Sequence, residues 1–226
     1  MKKLQHIIMI ALILLGLATP ALAQEQTDDF NVSAKHAIAI EATTGKVLYE
    51  KDATTPDGVA SMTKILTAYM VYKAVDQGKI TWDTEVDISD YPFNLTVDSE
   101  VSNVPLDSRK YTVKQLLDAT LISSANSAAI ALAEKISGSE SAFVDAMTAQ
   151  LKEWSITDAK LYNASGLNNK YLGDNRYPGS KPDDENSMSA LDVAIIADHL
   201  IKDYPQVLEI TKQTETDFEG DNKLTT

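Results

Sequence analysis

The chain has no cysteine among its 226 residues, so no disulfide framework holds it together and packing or a bound partner must. Histidine is scarce as well. Of the three present, His6 falls in the N-terminal apolar segment. His36, on an expected strand, and His199, on an expected helix, stand far apart without metal-ligand spacing. Zinc chemistry and a Ser-His-Asp triad therefore lack parts, and both histidines read as structural or surface residues. No Gly-rich phosphate loop occurs, and no cofactor or metal is expected. Positive charge is also short, with 20 Lys and Arg against 33 Asp and Glu, a net charge of -13. Such a surface repels nucleic acid and anionic lipid, so nucleic acid is not expected as a partner.

What is present begins with Lys2 and Lys3, an apolar run from Ile7 to Ala18, then Pro20 and the small-residue triplet Ala21-Leu22-Ala23. This pattern is that of a secretory signal peptide over residues 1–23, cleaved after Ala23. The run is shorter than the roughly 20 apolar residues that cross a bilayer, and Pro20 interrupts it. No later segment is apolar enough to span. The expected location is outside the cytoplasmic membrane, extracellular or in the cell envelope, with membrane association only if an anchor follows Thr226. Residues 24–35 are polar and read as a flexible tether, leaving 36–226 as the folded domain.

His36 to Ala42 alternates, Thr43-Thr44-Gly45-Lys46 supplies turn chemistry and Val47 to Tyr49 resumes, which predicts an opening β-hairpin. Ser61 to Gln77 is apolar on nearly every side and closes at Gly78, predicting a buried central helix. Ile80 to Ser89 has β character, and the stretch from there to Arg109 reads as loop or short strands. Thr112 with Gln115 forms a capping box for a helix over Val113 to Ile122, and Ser127 to Ile136 predicts an Ala-rich helix ending at Gly138. A third starts at Ser139, with Phe143, Met147, Leu151 and Trp154 on one stripe. Asn163 to Asp184 has loop composition, and Asp183-Asp184-Glu185 within and beside it reads as solvated loop charge. Ser189 with Asp192 begins a last helix through about Ile201. A single hairpin with no further clear strand is a two-stranded sheet, rarely stable alone.

Ser61-Met62-Thr63-Lys64 lies at the start of the central helix, where a three-residue offset puts both side chains on one face. Serine needs a base to become a nucleophile, and lysine can serve only if burial or a neighbouring cation depresses its pKa. Alone the pattern is weak, since about one Ser-x-x-Lys arises by chance in a chain of this size, and an N-cap serine with a snorkelling lysine explains it better. The second element is Ser124-Ala125-Asn126, a hydroxyl and an amide on a tight turn between two predicted helices, which by itself reads as a helix break. Together they resemble two of the three motifs shared by penicillin-binding proteins and class A β-lactamases, with Ala125 standing where β-lactamases usually have Asp.

Val59 to Thr67, Leu116-Leu117 with Ser123 to Ala133, and Tyr162-Asn163-Ala164-Ser165-Gly166-Leu167 together resemble the low-molecular-mass D-alanyl-D-alanine carboxypeptidases, a serine-type family of penicillin-binding proteins. The resemblance runs from about His36 to the last residue. It implies an α/β, β-lactamase/transpeptidase-like fold with an antiparallel sheet flanked by helices. It implies Ser61 as acylated nucleophile, Lys64 as its base, Ser124 as proton relay to the leaving D-alanine, and Asn126 as a binder of the substrate backbone. The implied partners are peptidoglycan stem peptides ending in D-Ala-D-Ala, with β-lactams as covalent inhibitors. No Lys-Thr-Gly occurs in the sequence. On this reading 36–226 is an incomplete transpeptidase-like domain that lacks its C-terminal strands and is not a competent enzyme by itself. Two alternatives stay open at this level: a β-lactamase, and a non-catalytic peptidoglycan- or penicillin-binding protein. The β-lactamase is the weaker, because none of Glu134, Glu140 and Glu153 is followed by x-x-Leu-Asn, the pattern resembling that family's deacylation base.

N-terminal sequencing of exported protein is expected to start at Gln24, and recovery of Met1 in a membrane fraction would mean an uncleaved anchor instead.

Overall fold

The computed structural model describes residues 31–97, 100–219 and 222–226, so the expected signal peptide and tether residues 24–30 lie outside the described residues. Contacts separate residues up to Ser33 from a second unit, Ala34–Thr226, which holds the fold. The core of that unit is one helix, α1 (Thr63–Asp76), surrounded by others. Ten of its residues are buried, including Lys64, Leu66, Ala68 and Val71, which is why its sequence shows no polar face.

Around it pack α3 (Val113–Ile122), α4 (Asn126–Ser137), α5 (Glu140–Glu153) and α6 (Ala190–Asp203). The capping box of Thr112 and Gln115 is present at α3, and that of Ser189 and Asp192 at α6. Gly138 closes α4 in the left-handed conformation that a C-terminal glycine supplies without a Cβ penalty. Along α5, Phe143, Met147 and Leu151 face the core as their spacing predicts, and Trp154 packs edge-on against Tyr69 of α1.

The predicted hairpin is β1 (Ala37–Ile40) with β2 (Val47–Lys51), antiparallel, with α6 against β1. Among the described residues three further two-stranded antiparallel ladders occur, so a single hairpin was too sparse an expectation. β3 (Asp57–Gly58) pairs with β6 (Ser187–Met188), tying the segment before Ser61 to the start of α6. β4 (Glu85–Asp87) pairs with β5 (Lys110–Thr112), and β7 (Glu215–Glu219) with β8 (Asn222–Thr225). The last hairpin escapes a hydrophobicity reading because only Phe218 and Leu224 of it are buried. Two short helices were also not foreseen: α2 (Asp90–Leu95), in a stretch expected to be loop or strand, and α7 (Val207–Thr211). Each is too short to show a periodic pattern. No helix among the described residues is long and apolar enough to cross a membrane.

Phe143, on α5, is fully buried in the main hydrophobic core. Phe143→Ala is expected to cost about 3–5 kcal/mol, read as a lower urea midpoint with unchanged slope.

Candidate active site

Ser61 sits in a single 3-10 turn, Ala60–Met62, that runs directly into α1. The chain enters this turn through Ala60 at φ 43, a left-handed conformation costly for a residue with a Cβ. The cost is offset by the surroundings: the backbone N–H of Val59 donates to the Asn186 carbonyl (3.1 Å), and the β3–β6 ladder fixes the residues before it. Ser61 is thereby held exposed at the head of an otherwise buried helix.

One turn further on, Lys64 is only 3% exposed. Its Nζ lies 3.0 Å from Ser61 Oγ, 2.8 Å from Asn126 Oδ1 and 2.8 Å from the Ser165 carbonyl oxygen. All three partners are uncharged. Burial without a neighbouring anion disfavours the ammonium, and it pulls the Lys64 pKa down to about 7. A neutral amine has two N–H bonds and one lone pair, which matches this set. The amide and carbonyl oxygens can only accept, so they take the two N–H groups and leave the lone pair facing the hydroxyl of Ser61. That is the arrangement a general base for Ser61 requires.

The second predicted motif arrives from the turn between α3 and α4. Ser124 has φ 53, and the N–H of Ala125 donates to the Ala119 carbonyl (3.1 Å), which bends the chain so that α4 starts at Asn126. Asn126 is 4% exposed, and both ends of its amide are engaged, Oδ1 by Lys64 and Nδ2 by the Ser102 carbonyl at 2.9 Å. Contact between Asn126 and a substrate would therefore require one of these bonds to be exchanged. Ser61, Lys64 and Asn126 thus come together. Half-buried Ser124 stands on the adjoining turn, and its hydroxyl forms no hydrogen bond to those three.

The third wall is the segment Tyr162–Leu167. Asn163 Oδ1 accepts from the N–H of Ser165 and of Gly166, curling the chain so that the Ser165 carbonyl faces Lys64. Gly166 has φ 80, and a Cβ there would come 1.8 Å from the Ala60 carbonyl oxygen, so only glycine lets this loop lie against the serine turn. Buried Asn186 fastens it: its Oδ1 accepts from the N–H of Tyr162 (2.7 Å), while Nδ2 donates to Thr63 Oγ1 (3.1 Å) and the Asn163 carbonyl (2.9 Å). Thr67 Oγ1 donates to the Ala164 carbonyl (2.6 Å). The Tyr162–Leu167 stretch was visible in the sequence only through its resemblance. Thr67 closes the resembling stretch Val59 to Thr67, whereas Asn186 carries no sequence signal, being a common residue in a loop. A cleft of about 370 Å³ adjoins the serine turn, lined by His36, Asp57, Val59, Met62, Met188 and Val193 among others, though Ser61 is not in its wall. Among the described residues no group of three or more His, Asp or Glu is placed to hold a metal.

A family model described as D-alanyl-D-alanine carboxypeptidase matches residues 21–226. The D-alanyl-D-alanine carboxypeptidase DacF of Bacillus subtilis is 34% identical over 214 residues, 93% of this chain and 50% of that protein. The D-alanyl-D-alanine carboxypeptidase DacA of Escherichia coli is 28% identical over 222 residues, 92% of this chain and 52% of that protein. The chain thus spans about half the length of these curated relatives. Among solved structures, a peptidoglycan synthesis regulatory factor (PBP3) from Streptococcus pneumoniae is 62% identical with a TM-score of 0.86, covering 87% of this chain and 55% of that one. A penicillin-binding protein of Listeria monocytogenes in its cefotaxime-bound form is 25% identical with a TM-score of 0.72, covering 88% of this chain and 74% of that one. The fold is the β-lactamase/transpeptidase-like α/β fold that the resemblance implied.

The burial of Lys64 has a consequence for stability. Its folded pKa of about 7 lies below the ordinary 10.5, so between these values the unfolded chain binds the extra proton and folding gains as pH rises. Relative to Lys64→Met, the wild type is expected to gain up to about 1.4 kcal/mol per pH unit over that window. Denaturant titrations of both proteins at several pH values check this, and a pH-independent difference would contradict a depressed Lys64 pKa.

Proposed function

The chain belongs to the D-alanyl-D-alanine carboxypeptidase family, and from that premise we propose that it contributes the nucleophile, base and helical framework of an exported serine carboxypeptidase. Its substrate is the peptidoglycan stem peptide ending in D-Ala-D-Ala. The observation that carries this reading is the buried Lys64 amine, 3.0 Å from Ser61 Oγ and offered only neutral acceptors.

Neutral Lys64 takes the proton of Ser61 as Oγ attacks the carbonyl carbon between the two D-alanines. Collapse of the tetrahedral intermediate breaks the C–N bond, and free D-alanine leaves once its nitrogen gains a proton, relayed from Lys64 by Ser124. Water then attacks the Ser61 ester, gives a proton to the regenerated base and releases the shortened peptide. Ring opening of a β-lactam follows the first half of this sequence and leaves Ser61 acylated. Cefotaxime in the Listeria monocytogenes neighbour is consistent with such chemistry on this fold. The leader pattern supports export after cleavage of residues 1–23, and trimming of stem peptides assigns the protein a role in cell-wall maintenance and cell shape.

Incubating the complete protein with a Lys-D-Ala-D-Ala peptide is expected to release D-alanine. Fluorescent penicillin is expected to label Ser61, with no labelling in Ser61→Ala and acylation about 10²- to 10⁴-fold slower in Lys64→Ala. The acylation rate should rise as pH passes through about 7, because only the deprotonated amine serves as base. Labelling that persists at another residue in Ser61→Ala would overturn the nucleophile assignment. Labelling without D-alanine release would favour a non-catalytic penicillin-binding role, and rapid turnover of the penicillin a β-lactamase.

A further inference from the structure

Glu140 is the first residue of α5, beside the N-cap Ser139, where a carboxylate usually lies at the surface and faces the free N–H groups of the helix. This one is 7% exposed. Its two oxygens serve other segments: Oε1 accepts from the N–H of Ala164 at 2.9 Å, and Oε2 from the hydroxyl of Tyr91, on α2, at 2.8 Å. Burial pushes its pKa up to about 7, partly countered by these two donors and reinforced by the nearby charge of Glu134. A buried carboxyl is costly to keep, and an apolar residue at this position would leave two buried donors unpaired.

The bond to Ala164 leads to the reacting groups in one covalent step. The Ala164 carbonyl accepts from Thr67, and the adjacent Ser165 carbonyl is one of the two acceptors that hold the Lys64 N–H groups. Thr67 and Glu140 therefore grip opposite sides of the same residue, one by its carbonyl and the other by its N–H. We propose that Glu140 is a positioning residue: by fixing the N–H of Ala164 it sets the Ser165 carbonyl against Lys64 and keeps the Lys64 lone pair aimed at Ser61.

This role rests on the carboxypeptidase reading above and requires reach, not charge. Glutamine has the same length, and its oxygen can accept from Ala164 while its NH₂ donates to the Tyr91 oxygen. Aspartate keeps the charge at the helix start but is one methylene too short to span Ala164 and Tyr91. The test compares the penicillin acylation rate of the wild type, Glu140→Gln, Glu140→Asp and Glu140→Ala in the complete protein, each at the temperature where melting curves show it folded. Glu140→Gln is expected within about threefold of wild type, and Glu140→Asp and Glu140→Ala slower by roughly 10- to 100-fold, the scale of a misplacement near 1 Å. In the slow variants the rising limb of the pH–rate profile should also move to higher pH, because a loosened loop lets water reach Lys64; lost stability alone would not move it. Should Glu140→Ala not fold, Glu140→Asp carries the test. An unlabelled wild type would overturn the parent reading and this one with it. A labelled wild type matched by Glu140→Asp, or a Glu140→Gln as slow as Glu140→Asp, would overturn the positioning role alone.

Discussion

The site depends on one constraint: an amine that must be buried without an anion beside it. A carboxylate next to Lys64 would satisfy the ammonium and raise its pKa, and the group would then remain a spectator cation. In a chain with 33 Asp and Glu, the nitrogen instead meets a hydroxyl, an amide oxygen and a backbone carbonyl. Placing it on the innermost helix supplies the desolvation, and placing Ser61 in a turn at the head of that helix keeps its hydroxyl accessible.

Three separate stretches of chain must then converge on one nitrogen, and each converges by a distinct device. Asn126 is delivered by a helix start after a strained turn at Ser124. The Ser165 carbonyl is delivered by a loop coiled around the side chain of Asn163 and pressed so close to the serine turn that Gly166 has no room for a Cβ. Ser61 is delivered by Ala60 in a left-handed conformation. Two non-glycine residues at positive φ and a steric contact at Gly166 lie within this one site, so local strain is concentrated where precision is needed, and the close-packed helices around α1 hold it in place.

How much the sequence made legible depends on how local each signal is. The two capping boxes, the glycine that ends α4 and the stripe on α5 depend on neighbours three or four residues apart, and each appears where its pattern put it. Ser61 with Lys64 is legible for the same reason. The partners that hold the Lys64 amine are not local. Asn126 and Ser165 lie 62 and 101 residues away, and only family resemblance pointed to either stretch. Asn186 and Glu140 could not be found at all, because one buried polar side chain in a loop or at a helix start looks like any other until the fold shows what it touches. The short elements α2 and α7 and the ladder of β7 with β8 were missed because too few of their residues are buried to imprint a period.

The same logic explains why the loop facing Lys64 is tied down by groups that carry little charge near neutrality. Thr67 and Asn186 are neutral, and burial brings Glu140 to a pKa of about 7, so that it is only partly ionised there. A fully ionised carboxylate at the same place would hold the loop equally well by geometry. It would also place a full negative charge in a low-dielectric region, where an unpaired charge is costly. The burial that lowers the Lys64 pKa thus raises that of Glu140, and the loop beside the amine is held by groups with little charge near neutrality.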